Sequence, residues 1–346
     1  MTLKDAVKGR ENNLDLIRFI AAVLVIVGHA YPLCIGPEGR DILSQLTTGK
    51  SDMSFGGLAV TVFFFYGGYL IAGSANSKKT AKEYFKARIL RIFPPLIFVT
   101  LILAFLAGPF LTEMTVGGYF TSVGTYKYLL NSFLIPIHEL PGVFTKSPYN
   151  PTVNGALWTL PIEFCCYIAC FVVYKMGILS EKKQKAFAVT AVLAVLGIIA
   201  SNLILPLPLV ATIRSAIMFY MGMLCYVYRD KIEIKPLYAI LALVLFAATV
   251  PFGIFKYTCF ICLPYIYMYI GFGTKVKFSN FAKYGEVSYG MYLCGYPIQQ
   301  ILCQVSGYTM GPVLNFVLGT VLSVAAGFLV YYNIERPVMR LQKKKG

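Results

Sequence analysis

Five ionisable side chains sit inside or at the edges of long apolar stretches in this 346-residue chain: Asp15, Arg18, His29, Glu163 and Arg214. A charge at the centre of a bilayer costs several kcal/mol, so each is a candidate for function. Arg18 and His29 are eleven residues apart. At 100° per residue, eleven steps make three turns plus about 20°, so on a helix both side chains share one face, about 16 Å apart along the axis. Asp15 lies three residues before Arg18 on that face and can pair with it. Arginine offers a planar fork suited to phosphate. Histidine, which ordinarily titrates near pH 6.5, offers a general base. Taken singly, a snorkelling arginine and an interfacial histidine are the plainer alternatives.

Glu163 follows the single tryptophan, Trp158, which at the start of a span is an interfacial anchor. On an inward-running helix Glu163 lies about 7 Å below the outer interface, at roughly the depth of His29. Gln299 and Gln300, late in an outward-running segment, reach a similar depth. Four groups from three helices thus point to a polar chamber opening outward. A structural carboxylate pair and packing amides are the alternatives. On the inner side, Arg88 and Arg91 start the third apolar segment three residues apart and, with Arg18, would make an anion site. Positive-inside topology or anionic lipid headgroups account for the same arginines. Gly67 and Gly68, at the inner end of the second segment, remove side-chain bulk there, for a ligand or for helix packing.

The elements that must position these groups are membrane helices. The chain is 58% hydrophobic and 13% charged, with a mean hydropathy of +0.68. Soluble proteins average about 45–50% apolar and about 25% charged. That excludes an ordinary soluble domain, a disordered chain and a disulfide scaffold. Apolar stretches fall near residues 14–34, 54–74, 89–108, 156–176, 186–205, 209–228, 236–252, 257–273, 286–304 and 312–334. The expected fold is all-α: a polytopic helical bundle of about ten spans. The net charge of +16 reads as membrane orientation rather than nucleic-acid binding. Of the 31 Lys and Arg, 24 fall at the termini and in alternate loops, and five in the loops between. Cytoplasmic loops carry the basic excess, which places both termini in the cytoplasm and the long 109–155 loop outside, folded over the bundle. No internal repeat and no cleavable signal is evident. The nine cysteines are odd in number and poor in neighbouring ligands, and no metal site is expected.

Several runs, in chain order, resemble acyltransferase family 3, the integral-membrane O-acyltransferases of cell-surface sugars. They are NNLDLIRFIAAVLVIVGHA, with Arg18 and His29; VTVFFFYGGYLIAGS; YFKARILRIFPPL, with Arg88 and Arg91; NGALWTLPIEFCCY, with Asn154, Trp158 and Glu163; YGEVSYGMYLCGYPIQQ; and YNIERPVMRL. The chain departs from the family pattern at Tyr66-Gly67, where many members have Ser-Gly, and at Gly295, where many have His. The resemblance implies one membrane-embedded acyltransferase domain over 1–346, with no fused soluble domain, in a bacterial-type cytoplasmic membrane. It implies transfer of an acyl group, most often acetyl, from cytoplasmic acyl-coenzyme A to a sugar or polysaccharide hydroxyl. The Arg18-to-His29 separation is comparable with the length of the coenzyme's arm. Arg18, Arg88 and Arg91 would hold its phosphates, with Gly67 and Gly68 leaving room. His29 would take the acceptor's proton, oriented by Glu163, or else carry the acyl group itself. Asn154, Trp158, Gln299 and Gln300 would face the acceptor, and Asp15 would support Arg18.

A proton- or ion-coupled transporter, with Asp15, Arg18, His29 and Glu163 along its path, is the competing reading. Transporters often carry repeats and interrupted helices at matching positions, and neither is evident. A non-catalytic scaffold leaves the intramembrane charges without a purpose.

Overall fold

Within a bilayer a backbone amide has no water partner, so an apolar segment must satisfy its hydrogen bonds internally. Every apolar stretch accordingly contains helix in the computed structural model, which describes residues 1–7, 11–47, 53–77, 80–179, 183–202 and 207–343. The principal helices are α1 (Leu14–Ile35), α2 (Phe55–Ala75), α3 (Ala81–Leu101), α4 (Thr159–Lys175), α5 (Gln184–Ser201), α6 (Leu207–Val227), α7 (Pro236–Thr249), α8 (Phe255–Met268), α9 (Ser288–Val305) and α10 (Pro312–Val330). Among the described residues there is no strand, only two isolated bridges, Thr2 with Glu233 and Thr112 with Val143. The fold is a helical membrane bundle.

Among the described residues, six helices are long and apolar enough to cross a membrane by length and composition: α1, α2, α3 with its continuation to Leu111, α5, α6 and α10 with its continuation to Leu341. The expectation of about ten is not met on that measure, for physical reasons. α4 has 17 residues, and α7 and α8 have 14 each. Fourteen residues reach about 21 Å, short of a hydrocarbon core of about 30 Å. α8 gains length through a π turn, Tyr269–Gly273. α9 is diluted by Gln299, Gln300 and Gln304. Eight basic residues of the sidedness pattern, Lys8, Arg10, Lys50, Lys78, Lys79, Lys182, Lys344 and Lys345, lie outside the described residues, as does the end of the fifth apolar stretch.

Helix contacts near the site are backbone to backbone. A Cβ on Gly68 would lie 1.8 Å from the Phe219 carbonyl oxygen, and one on Gly222 2.0 Å from that of Phe65, so α2 and α6 can meet only through glycine. The start of α1 is tied down by Asn13, whose side chain donates to Ile270 O (3.0 Å) and Thr274 Oγ1 (2.8 Å) and accepts from Phe278 N (2.7 Å). The 109–155 segment is ordered. It holds short helices at Val116–Thr121 and Val123–Lys127. α9 pins it: Gln304 Nε2 donates to Leu111 O (2.9 Å), and Gln300 Nε2 donates to Asn150 O (3.1 Å) and Thr152 O (3.0 Å).

Candidate active site

α1 presents Arg18 and His29 to one line of cavities. The first, of about 350 Å³, is lined by His29, Trp158, Arg214, Lys256 and Tyr292 among others. The second, of about 190 Å³, is lined by Arg18, Gly67, Arg91, Glu163, Tyr167 and Tyr292 among others. Val60 and Tyr292 belong to both walls. The third, of about 680 Å³, is lined by Glu11, Asp15, Arg18 and Lys283 among others, and shares Arg18 and Leu70 with the second. The shared walls place the cavities in order, from Asp15 past Arg18 and Glu163 to Tyr292 and His29.

The His29 ring is held by packing. The Tyr296 ring stands edge-on to it, centroids 4.9 Å apart, and no hydrogen bond to the imidazole is seen among the described residues. A base in this setting keeps its nitrogens for a ligand. Tyr292 lines both the first and the second cavity. Its hydroxyl donates to Ala156 O (2.5 Å) and lies 2.5 Å from Thr159 Oγ1, which fixes the ring against the start of α4.

At the other end is a charge cluster. Arg91 Nη2 donates to Glu286 Oε2 at 2.5 Å, and Arg91 Nη1 donates to Glu335 Oε2 at 3.1 Å. Glu286 Oε1 accepts from the backbone and the hydroxyl of Ser288. α10 runs into a π turn, Tyr331–Glu335, which ends on the buried Glu335. Arg18 Nη1 is 3.6 Å from Glu286 Oε2, an ion pair without a hydrogen bond. The Arg18 fork is therefore open to both cavities it lines.

Several expected placements are corrected. Arg18 pairs with Glu286, and no ion pair to Asp15 is seen among the described residues. Glu163 is not beside His29. It lines the second cavity, where its Oε1 accepts the Tyr167 hydroxyl, whereas His29 lines the first. Gln299 and Gln300 are fully buried and line none of the three cavities. Gln299 Nε2 donates to Ile26 O (2.9 Å) and Asn315 Oδ1 (2.8 Å), while Gln300 holds the 109–155 segment. Asn154 is buried too. Its Nδ2 donates to Leu293 O (2.9 Å), the carbonyl that Pro297, lacking an N–H, leaves unpaired within α9. Arg88 is 5% exposed and lies over the Tyr84 ring, 3.5 Å from its centroid, with Nη1 donating to Tyr84 O (2.5 Å). Three residues on a helix are 300° apart, about 60° off a common direction, enough to send Arg88 and Arg91 to different neighbours. Gly67 lines the second cavity, whereas Gly68 serves the contact with α6. Trp158 lines the first.

Glu286 and Glu335, the carboxylates that hold Arg91, were not among the expected site residues. Both lie in the runs YGEVSYGMY and YNIERPVM, next to segment ends. The two departures from the family pattern also have places. Tyr66 donates to Tyr267 O (2.6 Å), and a Cβ on Gly271 would lie 2.8 Å from its hydroxyl. Gly295 faces Ile26, whose Cγ1 would be 3.2 Å from an added Cβ.

The fold and the site define a helical membrane protein whose internal cavities are lined by ionisable side chains. The profile of acyltransferase family 3, described as an acyltransferase domain, matches residues 11–332, and the chain belongs to that family. An O-acetyl transferase of Shigella phage Sf6 is 26% identical over 342 residues, covering 94% of this chain and 96% of that protein. Nodulation protein 10 of Rhizobium leguminosarum bv. viciae is 29% identical over 198 residues, covering 55% of this chain and 50% of that one. No solved structure gives a significant match.

Proposed function

We propose that this protein transfers an acyl group, acetyl in the first instance, from acyl-coenzyme A to a hydroxyl of a cell-surface or lipid-linked sugar. It acts as one unit in a bacterial-type cytoplasmic membrane, with ten spans, both termini in the cytoplasm and the His29 cavity toward the outside. Membership of the family and the phage relative's name support O-acyl transfer. The observation that carries the reading is the line of three cavities with shared walls, Arg18 between the lower two and Tyr292 between the upper two.

Coenzyme A has phosphates at one end and a thioester at the end of a long thin arm. Arg18 and Lys283, which both line the third cavity, suit the phosphates. The narrow second cavity, walled by Phe63, Phe64, Tyr66 and Tyr289, suits the arm. At Tyr292 the thioester meets the first cavity. There a neutral His29 removes the proton from the acceptor hydroxyl, whose oxygen bonds to the thioester carbonyl carbon. The carbon–sulfur bond breaks, and the departing sulfur takes the proton from the imidazolium. Glu163 and Arg91 lie along the arm, and Arg91, held by two carboxylates, fixes the wall behind it.

The test is mass spectrometry of the surface glycans and glycolipids of the cells that make the protein, with and without its gene. Loss of one acyl mass from a glycan on deletion is the expected result. Unchanged glycan and glycolipid masses would overturn the reading.

A further inference from the structure

Of the three cavities, the first differs in charge. Glu163 lines the second, and Glu11 and Asp15 line the third, but among the described residues no carboxylate lines the first. Two cations line it instead: Arg214 on α6 and Lys256 on α8. Arg214 is set in place by Asn202, at the end of α5, whose Oδ1 accepts from Nη2 at 2.6 Å. Its Nε is buried and has no hydrogen-bond partner among the described residues. Lys256 forms no ion pair among the described residues, and its ammonium has only the Tyr257 ring 5.0 Å away. Asp41, one of the acids on the segment joining α1 to α2, caps the backbone there, accepting from Ser44 N (2.8 Å) and Phe55 N (3.0 Å).

Cations inside a membrane bundle are costly, and are normally paired or solvated. A buried guanidinium donor without an acceptor costs about 1–3 kcal/mol or more. One such donor, on Arg214, together with the partly buried Lys256 on the wall of the same cavity leaves a place for an anion. The chamber also holds His29, Trp158 and a volume within the roughly 300–1,000 Å³ of small-molecule sites. We infer that the acceptor is an anionic glycan, one bearing a carboxylate or phosphate, and that Arg214 and Lys256 bind this group while the hydroxyl to be acylated is held at His29. This rests on the proposed transfer reaction and names its acceptor class. The same anion chemistry occurs on phospholipid headgroups, which the test must separate.

The gene is deleted from the cells that make the protein and restored as parent, Arg214→Gln, Arg214→Lys or Lys256→Gln. Polysaccharide and lipid fractions are analysed separately, and the acyl-bearing residue is located by fragmentation. The parent should return the acyl group to a glycan whose repeat or lipid carrier bears a carboxylate or phosphate. Arg214→Gln and Lys256→Gln should return less than a tenth of it, although both proteins accumulate in the membrane and bind acetyl-coenzyme A as the parent does. Arg214→Lys, which keeps the charge, should return more than Arg214→Gln. Acylation of a wholly neutral glycan, acyl mass on a phospholipid alone, or full restoration by both glutamine variants would each overturn the inference while leaving acyl transfer standing. No acyl difference between deleted and parental cells would instead remove the transfer reading itself.

Discussion

Arg91 Nη2 donates to Glu286 Oε2 at 2.5 Å, and the same oxygen lies 3.6 Å from Arg18 Nη1. One carboxylate thus joins α1 to α3 at the start of α9, and Glu335 adds the end of α10. Arg91 is a tie between helices, while Arg18, ion-paired with the same carboxylate, donates no hydrogen bond from its fork among the described residues. Arg91→Lys cannot span two carboxylates. With the side chain about a third exposed, the loss should be about 1–2 kcal/mol of stability, seen as a lower Tm in detergent. Donor affinity should fall as the wall shifts. Arg88→Lys separates the two arginines. It gives up stacking on Tyr84 worth about 0.5–2 kcal/mol, so Tm should drop with acetyl-coenzyme A affinity unchanged within about twofold. A large loss of donor affinity in Arg88→Lys would return that residue to the binding site.

Tyr292 is the second structural element with a distinct signature. Its side chain lines both the cavity of Glu163 and that of His29. A closed reaction site keeps water from a reactive donor. Tyr292→Ala joins the cavities and should raise acceptor-free hydrolysis of acetyl-coenzyme A several-fold, read as free thiol, with a loss of about 3–5 kcal/mol in stability. Tyr292→Phe retains the ring and loses the bond to Ala156 O, so hydrolysis should stay at the parental level. Equal hydrolysis in parent and Tyr292→Ala would mean that the ring is not the barrier.

The shared face of Arg18 and His29 was legible because helical periodicity is set by backbone geometry alone. The helical segments were legible because the bilayer dictates apolar runs. What could not be read was lateral: which helix stands beside which. Depth arguments put His29, Glu163, Gln299 and Gln300 at one level, and level is not proximity. Gln299 turns toward α10 and Gln300 toward the 109–155 segment. The role of Asn154 depends on a proline 143 residues away in the chain, Pro297, which frees the carbonyl that Asn154 fills. Glu286 and Glu335 escaped notice because each sits at a segment end, where a carboxylate ordinarily meets water.

The sidedness of the bundle has its own test. Lys146 lies in the 109–155 segment, pairs with Glu113 at 2.8 Å and has a side chain that is 74% exposed. In a background stripped of the nine native cysteines, Lys146→Cys should react with an impermeant thiol reagent added from outside the cell. The basic asymmetry demands this result. Labelling only after the cytoplasmic face is opened would invert the bundle, and would place the His29 cavity on the same side as the donor.

The most exposed prediction concerns His29. It is one of two histidines, and the other, His138, is on the exposed segment, where its carbonyl accepts from Val153 N at 2.6 Å. No hydrogen bond among the described residues occupies the His29 ring, so its nitrogens are free for an acceptor hydroxyl. A positioned general base contributes about 10²–10⁴-fold, and His29→Gln, which keeps polar volume without a usable base, should lose transfer by that factor. Binding of acetyl-coenzyme A should persist, because the phosphate end of the path is far from the substitution. Glu163→Gln should behave differently. Its carboxylate is in the second cavity with Tyr167, beyond Tyr292, so the change should raise the KM for the donor more than it lowers kcat. Near-normal turnover by His29→Gln would show that the proton leaves by another group. A fall in kcat for Glu163→Gln as large as that for His29→Gln, with donor KM unchanged, would make Glu163 that group.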